Sequence, residues 1–176
     1  YSVVALSKFD DTSIELLGLK ENSLQGDSAI VEIMKSLGVM STFTEGGVLL
    51  TKIPAEENLT WDFTHCPDLT QTVAVICVAK NIPAQFTGIE SLKIKETDRV
   101  YALQTELAKI GGDLKELEKD HLYAVTARLS IKEIKDTPYF NTYEDHRMAM
   151  AFAPLGMLLD VRIEEPEVVV KSYPEY

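Results

Sequence analysis

The sequence predicts an α/β chain with helices packed on sheets, and three observations carry that prediction. A strand, helix, strand, strand pattern occurs twice at a spacing of roughly 70 residues, which marks an internal repeat. Between the two copies lies an apolar run, residues 69–80, long enough for a buried helix. After Pro138 a further helical run, residues 145–159, leads toward a valine-rich segment, residues 168–170, that reads as a terminal strand.

Taken in order, residues 13–19 alternate apolar and polar, as a half-buried strand does. Asp27 offers a carboxylate N-cap to an amphipathic helix over residues 29–37, which Gly38 closes as a C′ residue. Residues 40–44 and 48–53 form two strands across the Glu45-Gly46-Gly47 turn. Pro67-Asp68 is a helix-start signal and opens the buried helix. In the second copy, residues 86–89 are the strand, and Thr97 caps a helix whose apolar stripe is Val100, Leu103, Leu107 and Ile110. Gly111-Gly112 ends that helix, and residues 114–117 and 122–127 are strands joined at Lys119-Asp120. Pro154 falls inside the last helical run and kinks or ends it.

At 176 residues and 45% apolar content the chain can bury a substantial core. No apolar run approaches the roughly 18 residues of a membrane span. The longest, residues 73–79, suits a core. The formal charge of −11, with no basic stripe to offset it, argues against nucleic acid or an anionic membrane as partner. Any anionic metabolite has to be caught by a local basic pocket. Cys66 and Cys77 have neither metal-ligand nor CxxC spacing, so two reduced thiols in a cytoplasmic protein are expected. Tyr1 opens on an apolar element without the basic region of a signal peptide, which suggests a piece cut from a longer protein.

Charge is concentrated where the backbone disfavours it. Lys93-Ile94-Lys95-Glu96-Thr97-Asp98-Arg99 puts cations around a helix start, the positive end of the helix dipole. Arg147, in Tyr143-Glu144-Asp145-His146-Arg147, repeats the pattern at the start of Met148-Ala149-Met150-Ala151-Phe152. Two arginine-bearing helix starts imply one anion site assembled from distant parts of the chain.

The spelling of these segments resembles the 3-phosphoshikimate 1-carboxyvinyltransferases, also called 5-enolpyruvylshikimate-3-phosphate synthases. The signature is KIKETDR, then Val100-Tyr101-Ala102-Leu103, Glu106-Leu107 and Gly111-Gly112. Four further segments match in the family's order: Gln25-Gly26-Asp27, Pro67-Asp68, Asp145-His146-Arg147-Met148-Ala149-Met150, and Lys171-Ser172-Tyr173-Pro174-Glu175-Tyr176. The resemblance implies an enolpyruvyl transferase-type fold of two domains, each built from three similar units, with the active site between them. Residues 1–176 would then be a single domain, most of one of the two, with the N-terminal half and a final helix absent. The implied reaction moves the enolpyruvyl group of phosphoenolpyruvate to the 5-hydroxyl of shikimate 3-phosphate and releases phosphate, with no metal or organic cofactor.

By the same resemblance Asp68 is the catalytic base and Glu96 the acid that protonates the methylene carbon. Lys95 contacts shikimate 3-phosphate, to which Ser91 could donate a hydrogen bond, Arg99 and Arg147 grip phosphoenolpyruvate, Lys171 lies near its phosphate, and His146 lines the pocket. Ser91 stands where some relatives have asparagine. The residues alone leave plainer readings open. Asp68 reads as an N-cap, Glu96 as a solvated surface group, Lys95, Arg99 and Arg147 as members of helical ion pairs, Lys171 as a strand-end surface lysine, and His146 equally as a hydrogen-bonding bridge beside Asp145. Two rival functions remain: the related enolpyruvyl transferase acting on a UDP-linked aminosugar, which lacks a KETDR-like segment, and a non-catalytic anion-binding module.

Overall fold

Three β-sheets and five α-helices make up the computed structural model, which describes residues 1–21, 23–95 and 97–173. Glu96 and residues 174–176 lie outside the described residues, as does the side chain of Lys171.

Helix α1 (Ser2–Leu6) precedes the first repeat, which runs β1 (Ser13–Leu17), α2 (Ile30–Ser36), β2 (Val39–Phe43) and β3 (Gly47–Lys52). These strands form an antiparallel sheet in the order β1-β3-β2, with Phe43 opposite Val48 across the glycine turn. Next come β4 (Leu59–Asp62), α3 (Thr70–Lys80) and β5 (Ala84–Thr87), then α4 (Arg99–Ala108), β6 (Gly112–Glu118) and β7 (Leu122–Ala127). The second sheet has the order β4-β5-β7-β6. In both copies of the repeat the last strand therefore sits between the other two, antiparallel to each, so the sequence repeat is a topological one. A third, smaller unit consists of β8 (Tyr139–Phe140), α5 (His146–Phe152) and β9 (Arg162–Ile163).

Two crossovers place the site. Strands β4 and β5 are parallel with α3 between them, and β8 and β9 are parallel with α5 between them. Open α/β sheets bind ligands beyond the carboxyl ends of such strands. Asp68 follows the end of β4, the KIKETDR segment follows β5, and Asp145-His146-Arg147 follows β8.

Helix α3 is buried along almost its whole length, with Val73, Ala74, Val75 and Cys77 at 0% exposure, and it packs on α1, α4, α5 and β7. Burying a Val or Ile side chain contributes about 1.5–3 kcal/mol, so this helix is the spine of the core. Asn81 ends it in the left-handed conformation at φ 57°.

Several elements differ from their sequence expectation. Asp27 gives no side-chain cap; residues Gly26–Ala29 form a 3-10 turn that runs into α2. Asp98, not Thr97, caps α4, accepting the Tyr101 N–H at 3.0 Å. Strand β5 ends two residues early because Gly88 turns the chain at φ +71°. Pro154 does end α5, which passes into a 3-10 turn, Ala153–Met157. The valine segment is no strand. Residues Pro166–Lys171 coil into a 3-10 turn on α5, with Val169 buried and Val170 exposed, and the short strand is β9 instead.

Candidate active site

Three loops meet around Asp68. It lies in the 3-10 turn Pro67–Leu69, where Pro67 fills a first-turn position that needs no N–H donor, and no side chain caps this turn. The Asp68 carboxylate faces two arginines instead. Its Oδ1 accepts from Arg99 Nη1 at 2.9 Å, and its Oδ2 meets Arg147 Nη2 at 2.7 Å. The cap reading of Asp68 therefore gives way to an ion-pair bridge between residues brought from α4 and α5.

Behind this bridge is a second carboxylate. Asp145 is fully buried and accepts Arg99 Nε on Oδ2 at 2.6 Å and Arg99 Nη2 on Oδ1 at 3.3 Å. A planar guanidinium fits such a fork, which an ammonium does not. Asp145 Oδ1 also accepts the Arg147 N–H at 2.9 Å, so one carboxylate caps α5 and anchors the start of α4 together. Gln71 completes the buried layer. In the amide orientation that suits its neighbours, its oxygen accepts from Arg99 Nε at 3.2 Å and its nitrogen donates to the Asp68 carbonyl at 3.3 Å.

Exposure separates the two arginines. Arg99 is 1% exposed, whereas the Arg147 side chain is 31% exposed beside an Asp68 side chain at 28%. Arg99 holds the carboxylate from the buried side, and Arg147 holds it from the solvent-facing side. His146 Nδ1 is 4.0 Å from Asp145 Oδ1, too far for a hydrogen bond between the two, and the ring is partly exposed.

Ser91 is half-buried on the 3-10 turn Glu90–Ile94, which packs against the Pro67–Leu69 turn, and Lys95 follows it, exposed. Lys93 turns the other way. Its Nζ meets Asp120 Oδ1 at 2.6 Å and Glu116 Oε1 at 3.0 Å and lies 5.7 Å from the Tyr123 ring centre. These contacts, the Asp120 one first, hold the ammonium well above the usual lysine range. Lys93 thus ties the turn carrying Ser91 and Lys95 to the β6–β7 hairpin. Lys171 ends the turn Pro166–Lys171, packed on α5.

Sequence reasoning missed Asp145, Gln71 and Glu106 as parts of this architecture. Glu106 left a trace: it interrupts the buried stripe of Leu103, Leu107 and Ile110, and a carboxylate at 0% exposure needs donors. Among the described residues no group of three or more histidines, cysteines or acidic side chains is arranged to hold a metal. Among them, too, no helix is long and apolar enough to cross a membrane.

The α/β framework thus gathers the Asp68 carboxylate and two arginines, Arg99 and Arg147, from distant parts of the chain beyond its parallel strands. The chain belongs to the EPSP synthase (3-phosphoshikimate 1-carboxyvinyltransferase) family, whose profile matches residues 3–176. A 3-phosphoshikimate 1-carboxyvinyltransferase from Bacteroides fragilis is 47% identical across all of this chain, which covers 42% of that relative. One from Methanospirillum hungatei is 33% identical over 98% of this chain and 39% of its own length. The chain thus spans about two fifths of the curated relatives it matches. The EPSP synthase structure from Acinetobacter baumannii shares the fold, with a TM-score of 0.72 at 18% identity over 98% of this chain and 42% of that one.

Proposed function

We propose that this chain is most of one domain of a cytoplasmic enzyme that transfers the enolpyruvyl group of phosphoenolpyruvate to the 5-hydroxyl of shikimate 3-phosphate. In that reaction the hydroxyl oxygen bonds to C2 of phosphoenolpyruvate, its proton passes to Asp68, and Glu96 protonates the methylene carbon to a methyl. The tetrahedral intermediate then loses phosphate as its C–O bond breaks, and one methyl proton returns to the enzyme, restoring the vinyl group.

One observation carries the reading: Asp68 is held by Arg99 and Arg147 on separate oxygens, with Asp145 fixing Arg99 from behind. A base whose orientation is set by its neighbours needs little reorganisation when the hydroxyl arrives. Arg147, Lys95 and Lys171 are the cations assigned to substrate phosphate and carboxylate groups, with Ser91 and His146 at the rim. Arg99 is assigned to phosphoenolpyruvate as well, acting from the buried side. The remaining contacts come from the other domain of the full-length protein.

Phosphate release measured on the full-length protein with both substrates tests this. Glu96→Gln is expected to lower kcat by about 100-fold or more while changing KM far less, since proton transfer matters in the transition state. Full turnover in that variant would remove Glu96 from the chemistry.

A further inference from the structure

Glu106 is the one fully buried carboxylate, among the described residues, that the reaction above does not use. It projects from α4 two turns after Arg99, on the same side of the helix. Its Oε2 accepts from Lys109 Nζ at 2.6 Å and from the Asn141 N–H at 3.0 Å, and its Oε1 accepts the Tyr143 hydroxyl at 2.8 Å. Helix α4 therefore grips the loop between β8 and α5 twice, through Arg99 on Asp145 and through Glu106 on Asn141 and Tyr143.

Between those grips the loop is strained. Tyr143 and Glu144 are consecutive non-glycine residues in the left-handed region, at φ 55° and 56°. The buried Thr142 hydroxyl has no hydrogen-bond partner among the described residues. A loop in this state persists only where its surroundings over-determine it, and it ends on Asp145-His146-Arg147. Burial raises the Tyr143 hydroxyl to about 12, with the Glu106 hydrogen bond adding to the effect, so this donor keeps its proton throughout the neutral range.

We infer that Glu106 is a positioning residue: it locks the left-handed Tyr143-Glu144 turn and so fixes where Arg147 meets Asp68. The inference rests on the proposed reaction only for its kinetic readout. Glu106 touches no reacting atom. Its loss lets the turn relax and moves Arg147 by the fraction of an ångström that governs anion binding.

The test uses the full-length protein with Glu106→Gln, which keeps the volume but misplaces an amide N–H against three donors. KM for phosphoenolpyruvate is expected to rise at least about tenfold with kcat falling much less, because a displaced Arg147 costs binding before chemistry. Glu144 is exposed, so Glu144→Gly removes the left-handed penalty without removing a buried contact, and the double variant is expected to recover most of the lost affinity. An unchanged KM, or no recovery in the double variant, overturns the inference. A crystal structure of full-length Glu106→Gln decides it independently of turnover: an Arg147 Nη2 to Asp68 Oδ2 contact still at 2.7 Å with the turn left-handed refutes it. A wild-type protein without turnover would sink the proposed reaction, while that structure still decides the role of Glu106.

Discussion

Arg99 and Asp145 form a two-pointed ion pair whose side chains are 1% and 0% exposed, joining the start of α4 to the cap of α5. Two helices from different units are thereby registered at the point where the site forms. A pair of this kind adds little net stability compared with an apolar pair, but removing one partner strands a buried charge. Asp145→Asn is expected to cost about 3 kcal/mol in urea unfolding, and Arg99→Lys somewhat less, because the ammonium keeps the charge and loses the fork. A loss under about 1 kcal/mol for Asp145→Asn would mean that the pair is not the joint described.

Gly88 controls the approach of two site loops. It sits at φ +71°, and a Cβ there would lie 2.3 Å from the Thr64 nitrogen and 2.4 Å from Asp62 Oδ1. That region is the Asp62–Thr64 turn, where Asp62 Oδ1 accepts the Thr64 N–H at 2.9 Å and hydroxyl at 2.6 Å on the way to Pro67-Asp68. Gly88→Ala therefore meets both a conformational penalty and a backbone collision. A destabilisation of about 2–4 kcal/mol is expected from thermal or urea unfolding. A Tm within a degree or two of wild type would contradict the close approach.

How much of this was legible in the sequence depended on whether a signal was local. Periodicity and glycines found both copies of the repeat, the buried helix and the stop at Pro154, since each rests on neighbouring residues. The cap of α4 lies one residue beyond the Thr97 that the sequence suggests, because Thr97 and Asp98 are both competent caps and only the path of the chain selects Asp98. The valines at 168–170 carry strand propensity, yet Pro166 and the left-handed Glu165 turn them into a coil that offers only Val169 to the core. Asp68, Arg99 and Arg147 stand out by spelling, but their mutual ion pairs do not, because such pairing is tertiary. Glu106 was visible only as a charge on an apolar stripe, which says that donors exist without saying where.

The Lys93 cluster makes stability depend on acid. Glu116 accepts the Asp120 N–H at 2.8 Å, the Tyr123 hydroxyl at 2.8 Å and Lys93, and these bonds, the backbone one first, hold its carboxyl down at about 2 against an ordinary 4.5. A depressed folded value means that the contribution is fully present above pH 4.5 and lost as the pH falls toward 2. Lys93 is shifted upward, so it stays charged throughout this range and its own deprotonation costs stability only in strong base. The stability gap between wild type and Glu116→Gln is expected to narrow between about pH 5.5 and about pH 2.5 in urea titrations. A constant gap would show that the hairpin does not depend on the ionised carboxylate.

The 176-residue chain on its own is expected to fold yet show no measurable enolpyruvyl transfer. Its buried apolar residues, from Val4 to Leu155, form one core cluster that spans all three units, which suffices for independent stability. The site is different: Asp68 and Arg147 remain about 30% exposed on an open surface. Cations facing water are screened, and proton-transfer groups without an enclosing wall lose the low-dielectric setting that makes them effective. Weak phosphate binding at Arg147 and Lys95 is expected to persist and to fade with added salt. Mixing the chain with phosphoenolpyruvate and shikimate 3-phosphate and following phosphate release checks this directly. Turnover comparable to the full-length protein would mean that the wall of the cleft is dispensable, and that the catalytic roles assigned to Asp68 and Glu96 operate in a site open to solvent.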